Sequence, residues 1–198
     1  TGIPANHILR VLKGIGLLIT NLHKSPLVLI RSLNAFKYRG QFGLIGLLYA
    51  VIPLLRQQSS YDVIHCHFGV NGLKGTFLRE IGAIQGKLIT TFHGYDVNLF
   101  PHQHGTNIYQ QLFQQGDLFT SQTTFMMTKL LSLGCPQDKM VKLPMGVDIS
   151  KYPFQPRVLH SGKPIEIITV ARLVEKKGIE YSIRAVAKVL KSYPQIVY

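Results

Sequence analysis

From residue 61 onward the chain alternates between two hydrophobic periods. Residues 62–67 (DVIHCH) and 87–92 (KLITTF) are short runs rich in β-branched or aromatic side chains, the pattern of strands buried in a parallel sheet. Residues 71–81, 106–115 and 123–133 space their apolar positions as helices do. Gly134 stands where the last of these helices needs a C-cap, and Pro136 follows it. Residues 117–121 and 139–143 predict two further strands. Strands and helices alternating at this spacing make βαβ units with parallel strands and right-handed crossovers. The expectation is therefore α/β, with a doubly wound domain running to about residue 148.

The earlier residues carry helical spacing only. Residues 5–22 and 37–57 predict helices, and Ser25-Pro26 marks another helix start between them. The longest uncharged run, residues 41–55 (QFGLIGLLYAVIPLL), is about a third short of the roughly 20 residues that span a bilayer, and Pro53 interrupts it. It predicts a buried helix. Residues 149–164 contain three prolines and little periodicity, so they read as a linker. A strand over 165–170 and an amphipathic helix over 179–190, with Ile179, Ile183, Val186, Val189 and Leu190 on one side, then open a second α/β domain. The expected division is 1–148, 149–164 and 165–198. The chain opens without Met and closes on a strand-like run, QIVY, which reads as a piece of a longer protein.

Composition sharpens this picture. A hydrophobic content of 46% and a mean hydropathy of +0.16 over 198 residues suit a packed core rather than disorder. The net charge of +13 is unevenly placed, with seven Lys or Arg and no carboxylate before Asp62. Such a segment suits an anionic membrane surface, nucleic-acid phosphates or an anionic substrate, and its plainer reading is a solvated helical face. There is no arginine-rich run, zinc-finger spacing or RNP-like motif, so nucleic acid is not an expected partner. Peripheral contact with anionic lipid fits a basic amphipathic stretch better. Cys66 and Cys135 are far apart and lack metal-ligand spacing, which suits reduced cytoplasmic thiols. His65 and His67 share one face of a strand, yet no third ligand has a recognisable spacing, and no metal is expected. His102 and His104 flank a loop with Gly105 and are expected to be exposed to solvent.

Two segments carry candidate chemistry. In TTFHGYD, residues 90–96, His93 and Asp96 stand where a buried strand stops. The crevice beyond the carboxyl ends of strands is where open α/β sheets bind ligands. The plainer reading is a histidine bonded to a neighbouring carbonyl and an aspartate capping a turn. The second segment is ARLVEKKG, residues 171–178, which puts Arg172 at a strand's carboxyl end and Lys177 and Gly178 just before a helix. Two cations and unpaired helix N–H groups suit a diphosphate, against the plainer reading of a solvated basic turn.

VARLVEKKG, residues 170–178, resembles the R-x4-K-G element of family 4 retaining glycosyltransferases. DVIHCHFG (62–69), TTFHGYD (90–96) and LPMGVD (143–148) match the same family in order and spacing, most nearly the bacterial exopolysaccharide transferases of colanic acid and amylovoran type. The resemblance implies a GT-B fold of two Rossmann-like domains. Here it covers most of the N-terminal acceptor domain and the first βα unit of the C-terminal, nucleotide-sugar-binding domain. It implies retaining transfer of a sugar from a UDP- or GDP-sugar to a lipid-linked exopolysaccharide or related glycan precursor, with no metal and no cofactor beyond the donor. Arg172, Lys177 and Gly178 would hold the donor diphosphate, and His93 would lie against the transferred sugar. Asp96 would support that loop, and Gly146 and Asp148 would belong to the interdomain loop. Met145 stands where the family often has Asn. The family's glycine-rich first loop should precede Thr1, and its acidic E-x7-E element should follow Tyr198. The implied location is cytoplasmic, peripheral on the inner face of the plasma membrane. Two rivals remain: a dinucleotide-dependent oxidoreductase, although no G-x-G-x-x-G occurs, and a basic α/β protein that binds membrane or nucleic acid without catalysis.

Overall fold

The computed structural model describes residues 2–34, 45–56, 59–156, 158, 160 and 162–198. The chain divides into two compact units, Thr1–Gly146 and Val147–Tyr198. The first holds a parallel sheet of strands β1 (Ser60–His67), β2 (Gln85–Phe92), β3 (Leu118–Ser121) and β4 (Met140–Lys142), in that spatial order. Its helices are α1 (His7–Asn21), α2 (Pro26–Ser32), α3 (Gly46–Val51), α4 (Gly69–Glu80), α5 (Tyr95–His104), α6 (Gln110–Gln115) and α7 (Thr124–Ser132). Because every neighbouring pair is parallel, all four carboxyl ends lie along one edge of the sheet.

Helix α4 shows how the sequence builds this layer. Its glycines recur every three residues, at 69, 72 and 75, so one face of the helix has no side chains and lies close against the sheet. A Cβ at Gly69 would stand 2.4 Å from the Phe92 ring, and one at Gly72 would stand 2.5 Å from Thr90 Oγ1. The sheet face beneath carries Leu88, Thr90 and Phe92 from β2 and Phe119 from β3, all fully buried. Phe92, Tyr109, Phe113 and Phe119 form an aromatic cluster with edge-on pairs at 5.3 and 5.4 Å between centroids. Each such ring contributes roughly 1.5–3 kcal/mol by leaving water.

Several expectations change in detail. The strand expected to be buried over 62–67 is largely exposed, because among the described residues β1 pairs with β2 alone and is covered by α4 on one face. The segment after Asp96 is helical rather than a loop: α5 runs through Pro101 and carries His102 and His104 in its last turn. The helix expected over 106–115 starts as a tighter 3-10 turn, Thr106–Tyr109, before α6. Of the helix expected over 37–57, residues 45–56 fold as α3 followed by the 3-10 turn Ile52–Arg56, and the rest lies outside the described residues. Leu47, Leu48, Tyr49, Val51 and Ile52 are all buried there. No helix among the described residues is long and apolar enough to cross a membrane.

In the second unit β5 (Ile165–Glu166) pairs in parallel with β6 (Ile196–Val197), and α8 (Ile179–Val189) lies between them in sequence. The strand expected to reach residue 170 is paired only through Glu166, with one further bond from Ile167 N–H to the Val197 carbonyl at 2.8 Å. Its ladder is as short as its partner's. The apolar side of α8 stays open, with Ile183 55% and Leu190 37% exposed.

At the amino edge of the main sheet, Asp117 ties three elements together. Its carboxylate accepts from Arg79 of α4 at 2.5 Å, from Leu88 N–H of β2 at 2.8 Å and from Lys87 Nζ at 3.3 Å. Partial burial opposes ionisation, but the Leu88 hydrogen bond and the Arg79 guanidinium outweigh it and hold the carboxyl below its ordinary range. A carboxyl with a depressed folded pKa gives stability that is complete above its unfolded value and is lost as pH falls through the folded one. Asp117→Ala should therefore cost about 2 kcal/mol at neutral pH. In urea titrations the gap from the unaltered protein should close below about pH 4.

Candidate active site

The carboxyl edge of the sheet is built by alternation. In a strand, successive side chains face opposite sides, so His65 and His67 of β1, Thr91 of β2 and Thr120 of β3 share the face opposite α4. Thr91 pairs with His67 on one side and Thr120 on the other. Two residues beyond the threonines, His93 and Gln122 stand just past the ends of β2 and β3. The result is a polar track across three strands. His65 Nε2 lies 2.8 Å from Thr91 Oγ1, which lies 2.7 Å from Thr120 Oγ1. His67 Nδ1 lies 2.9 Å from His93 Nε2, and the Gln122 amide nitrogen lies 3.2 Å from His93 Nδ1.

If Gln122 donates to Nδ1, the ring proton sits on Nε2 and is donated to Nδ1 of His67. His67 then carries its own proton on Nε2. That group has no partner among the described residues and belongs to an exposed ring, so it can meet a ligand hydroxyl. The His67 and His93 rings stack at 5.1 Å, and Phe68 packs on His93 at 4.6 Å. Burial holds the His93 pKa below its ordinary value; Asp96 pulls it upward, while His67 and His65 push it further down.

The backbone around His93 is held by Asp96, which is fully buried in the first turn of α5. Its Oδ1 accepts from His93 N–H and its Oδ2 from Gly69 N–H, each at 2.8 Å. One carboxylate thus joins the β1–α4 turn to the β2–α5 turn. Gly94, with φ of +106°, makes the sharp exit from β2 that an L side chain would strain. Phe68 has φ of +71° although it is not glycine; its N–H donates to the Thr91 carbonyl at 2.8 Å and continues the ladder by one residue.

The other residues singled out by sequence lie elsewhere. Arg172 and Lys177 are exposed, and neither side chain has an ion pair or hydrogen bond among the described residues. Lys177 ends a 3-10 turn, Glu175–Lys177, and Gly178 at φ of +64° occupies the N-cap of α8. Gly146 closes the first unit in open space. Asp148, in the second unit, accepts from Ser150 N–H at 3.2 Å and Ser150 Oγ at 2.6 Å, and these bonds lower its pKa. Sequence reasoning missed Gln122, Thr91, Thr120 and Phe68. The available signal was positional: Gln122 follows β3 as His93 follows β2.

The all-parallel sheet with helices between its strands is a Rossmann-like α/β arrangement and agrees with the GT-B fold. The profile of Glycosyltransferase Family 4 matches residues 20–151, more than half of the chain, and the chain belongs to that family. It is 39% identical over 140 residues to a Salmonella typhimurium protein named as a colanic acid biosynthesis glycosyltransferase, covering 70% of this chain and 34% of that one. The Escherichia coli protein of the same name is 43% identical over 126 residues, covering 63% and 30%. An amylovoran biosynthesis glycosyltransferase of Erwinia amylovora is 33% identical over 165 residues, covering 82% and 39%. The chain thus spans about a third of the length of the curated relatives it matches.

Two outcomes check this geometry. Asp96→Asn leaves one of the two N–H groups facing an amide that cannot accept from it, and should lower stability by about 2 kcal/mol in denaturant titrations. By NMR, His93 should titrate below about 6.5, and His67→Gln should move that midpoint upward. Because folding lowers this pKa, the associated stability is complete above the unfolded value and is lost as pH falls through the folded one.

Proposed function

We propose that the chain is the acceptor-side domain and the opening of the donor-side domain of a retaining glycosyltransferase. In this reading the enzyme moves a sugar from a UDP- or GDP-sugar to a lipid-linked exopolysaccharide precursor. In this reading residues 1–148 belong to the acceptor domain, 149–164 to the linker and 165–198 to the start of the nucleotide-sugar domain, while the compact units divide two residues earlier, between Gly146 and Val147. The observation that carries it is the placement of His93, between His67 and Gln122 at the carboxyl edge of a parallel sheet. Family membership and the names of the relatives support the substrate class.

The largest protein contribution falls on the leaving group. As the glycosidic bond breaks, negative charge grows on the departing diphosphate, and preorganised cations stabilise it more than they stabilise the ground state. Arg172 supplies a fork and Lys177 a point charge, and Gly178 lets the backbone turn into α8 beside them. His93 orients a sugar or acceptor hydroxyl and is not assigned as a base. Asp96 holds its backbone, and Gly146 and Asp148 belong to the crossing between domains.

The test separates these roles in the whole protein. Arg172→Ala and Lys177→Ala should each weaken nucleoside-diphosphate binding about ten- to a hundred-fold, as expected for loss of a charge-assisted bond, with little change in Tm. His93→Ala should lower kcat while UDP or GDP still binds. Unaltered diphosphate affinity in both cation variants would return 171–178 to a solvated basic turn. A His93→Ala protein with full turnover would remove the histidine from the reaction.

A further inference from the structure

The turn out of β1 holds an aromatic ring where the backbone resists one. Phe68 has φ of +71° and ψ of 137°, a conformation that glycine adopts freely and a residue with a Cβ does not. The corresponding exit from β2 is made by Gly94. The surrounding bonds fix Phe68 in place. Its N–H donates to the Thr91 carbonyl at 2.8 Å, and its carbonyl accepts from Asn71 N–H and Gly72 N–H at 3.0 Å each. The next N–H, of Gly69, is taken by the Asp96 carboxylate. Had the strand continued, Phe68 would face the α4 side, opposite His67. The turn instead carries its ring to the imidazole of His93, at 4.6 Å between centroids, the same imidazole that His67 stacks upon at 5.1 Å.

The ring gains little packing from this placement. It is 42% exposed and is not among the hydrophobic side chains packed against the core. His67, beside it, is also exposed, and its Nε2 has no partner among the described residues. An aromatic face with a hydrogen-bonding nitrogen at its rim matches a pyranose, whose ring C–H groups share one face and whose hydroxyls point outward. An acyl chain would leave that nitrogen unmatched. We propose that Phe68 is the platform on which a pyranose ring of the acceptor glycan stacks, with His67 Nε2 bonded to one of its hydroxyls. This rests on the acceptor-side reading of the first unit and names the contact that orients the acceptor there.

Methyl β-glucoside, methyl β-galactoside and methyl α-mannoside serve as probes, each titrated at millimolar concentration into the full polypeptide and followed by proton NMR. At least one should show upfield shifts confined to the C–H protons of one ring face, the mark of a sugar lying over an aromatic ring. Phe68→Leu should remove those shifts and weaken binding at least ~5-fold, while Phe68→Trp should retain both. His67→Ala should weaken binding of the same probe and leave the shifts of its bound form in place. Phe68→Gly should also lose binding, yet its Tm should not fall, because glycine relieves the backbone. Failure of every probe to bind, or unaltered binding by Phe68→Leu, would overturn the proposal. So would a Phe68→Gly protein that melts well below the unaltered one, which would make the ring a packing group. Uridine or guanosine stacking on Phe68 in place of the sugars would overturn it as well. Pyranoside binding through Phe68 in a protein that transfers no sugar would count against the proposed function alone. Sugar transfer unaffected by Phe68→Leu would count against this inference alone.

Discussion

The arrangement at the carboxyl edge depends on one buried carboxylate. Asp96 is removed from water, and each of its oxygens accepts a backbone N–H, one from Gly69 and one from His93. A buried carboxylate without such partners would be strongly disfavoured, and the two N–H groups without it would lie unpaired near the start of α4 and the end of β2. Each requirement meets the other. The turn after β1 and the turn after β2 are thereby fixed to one another, and the imidazole of His93 follows its backbone to within hydrogen-bonding distance of His67 and Gln122. The same carboxylate lies near the buried Tyr109 hydroxyl, whose pKa is raised above its ordinary value by burial first and by the Asp96 charge second.

The two faces of the sheet divide the work between packing and chemistry. On one, α4 approaches through glycine, and the aromatic cluster fills the space beyond, so a methyl group added at position 69 or 72 would meet a ring or a threonine side chain. On the other face the same strands carry histidine and threonine in alternate positions, and their polar atoms bond to one another across strands rather than to helices. Burial lowers the His93 pKa, which favours a neutral imidazole able both to donate and to accept.

The two units present their polar groups in different ways. In the first, His93 stands between His67 and Gln122, within hydrogen-bonding distance of both. In the second, Arg172 and Lys177 are exposed beside the N-cap of α8 and have no side-chain partner among the described residues, and the apolar side of that helix is open. Cations that spend no bonds on the protein remain available to a ligand, which is why the proposed diphosphate role falls on them and not on Arg79. The guanidinium of Arg79 is already committed to Asp117, Gly86 and Gln115.

The sequence by itself determined the βαβ order, the places where β1, β2 and β3 stop, and the family. Each of those follows from short-range periodicity and from motifs a few residues long, such as TTFHGYD and VARLVEKKG. It also placed Asp96 beside His93, three residues apart. Only the tertiary structure decided that Gly69, twenty-seven residues from Asp96, shares that carboxylate, and that Gln122 and His67 close on His93 from neighbouring strands. Parallel pairing brings together residues separated by a whole crossover, and their register is set by helix packing rather than by any local preference. The same holds for β1, which reads as buried from its composition and is exposed because a strand's burial depends on its neighbours. The orientation of α1 is a decision of the same kind, since a helix's period gives it two faces and only the packing of Gly14 and Asn21 shows which one is exposed.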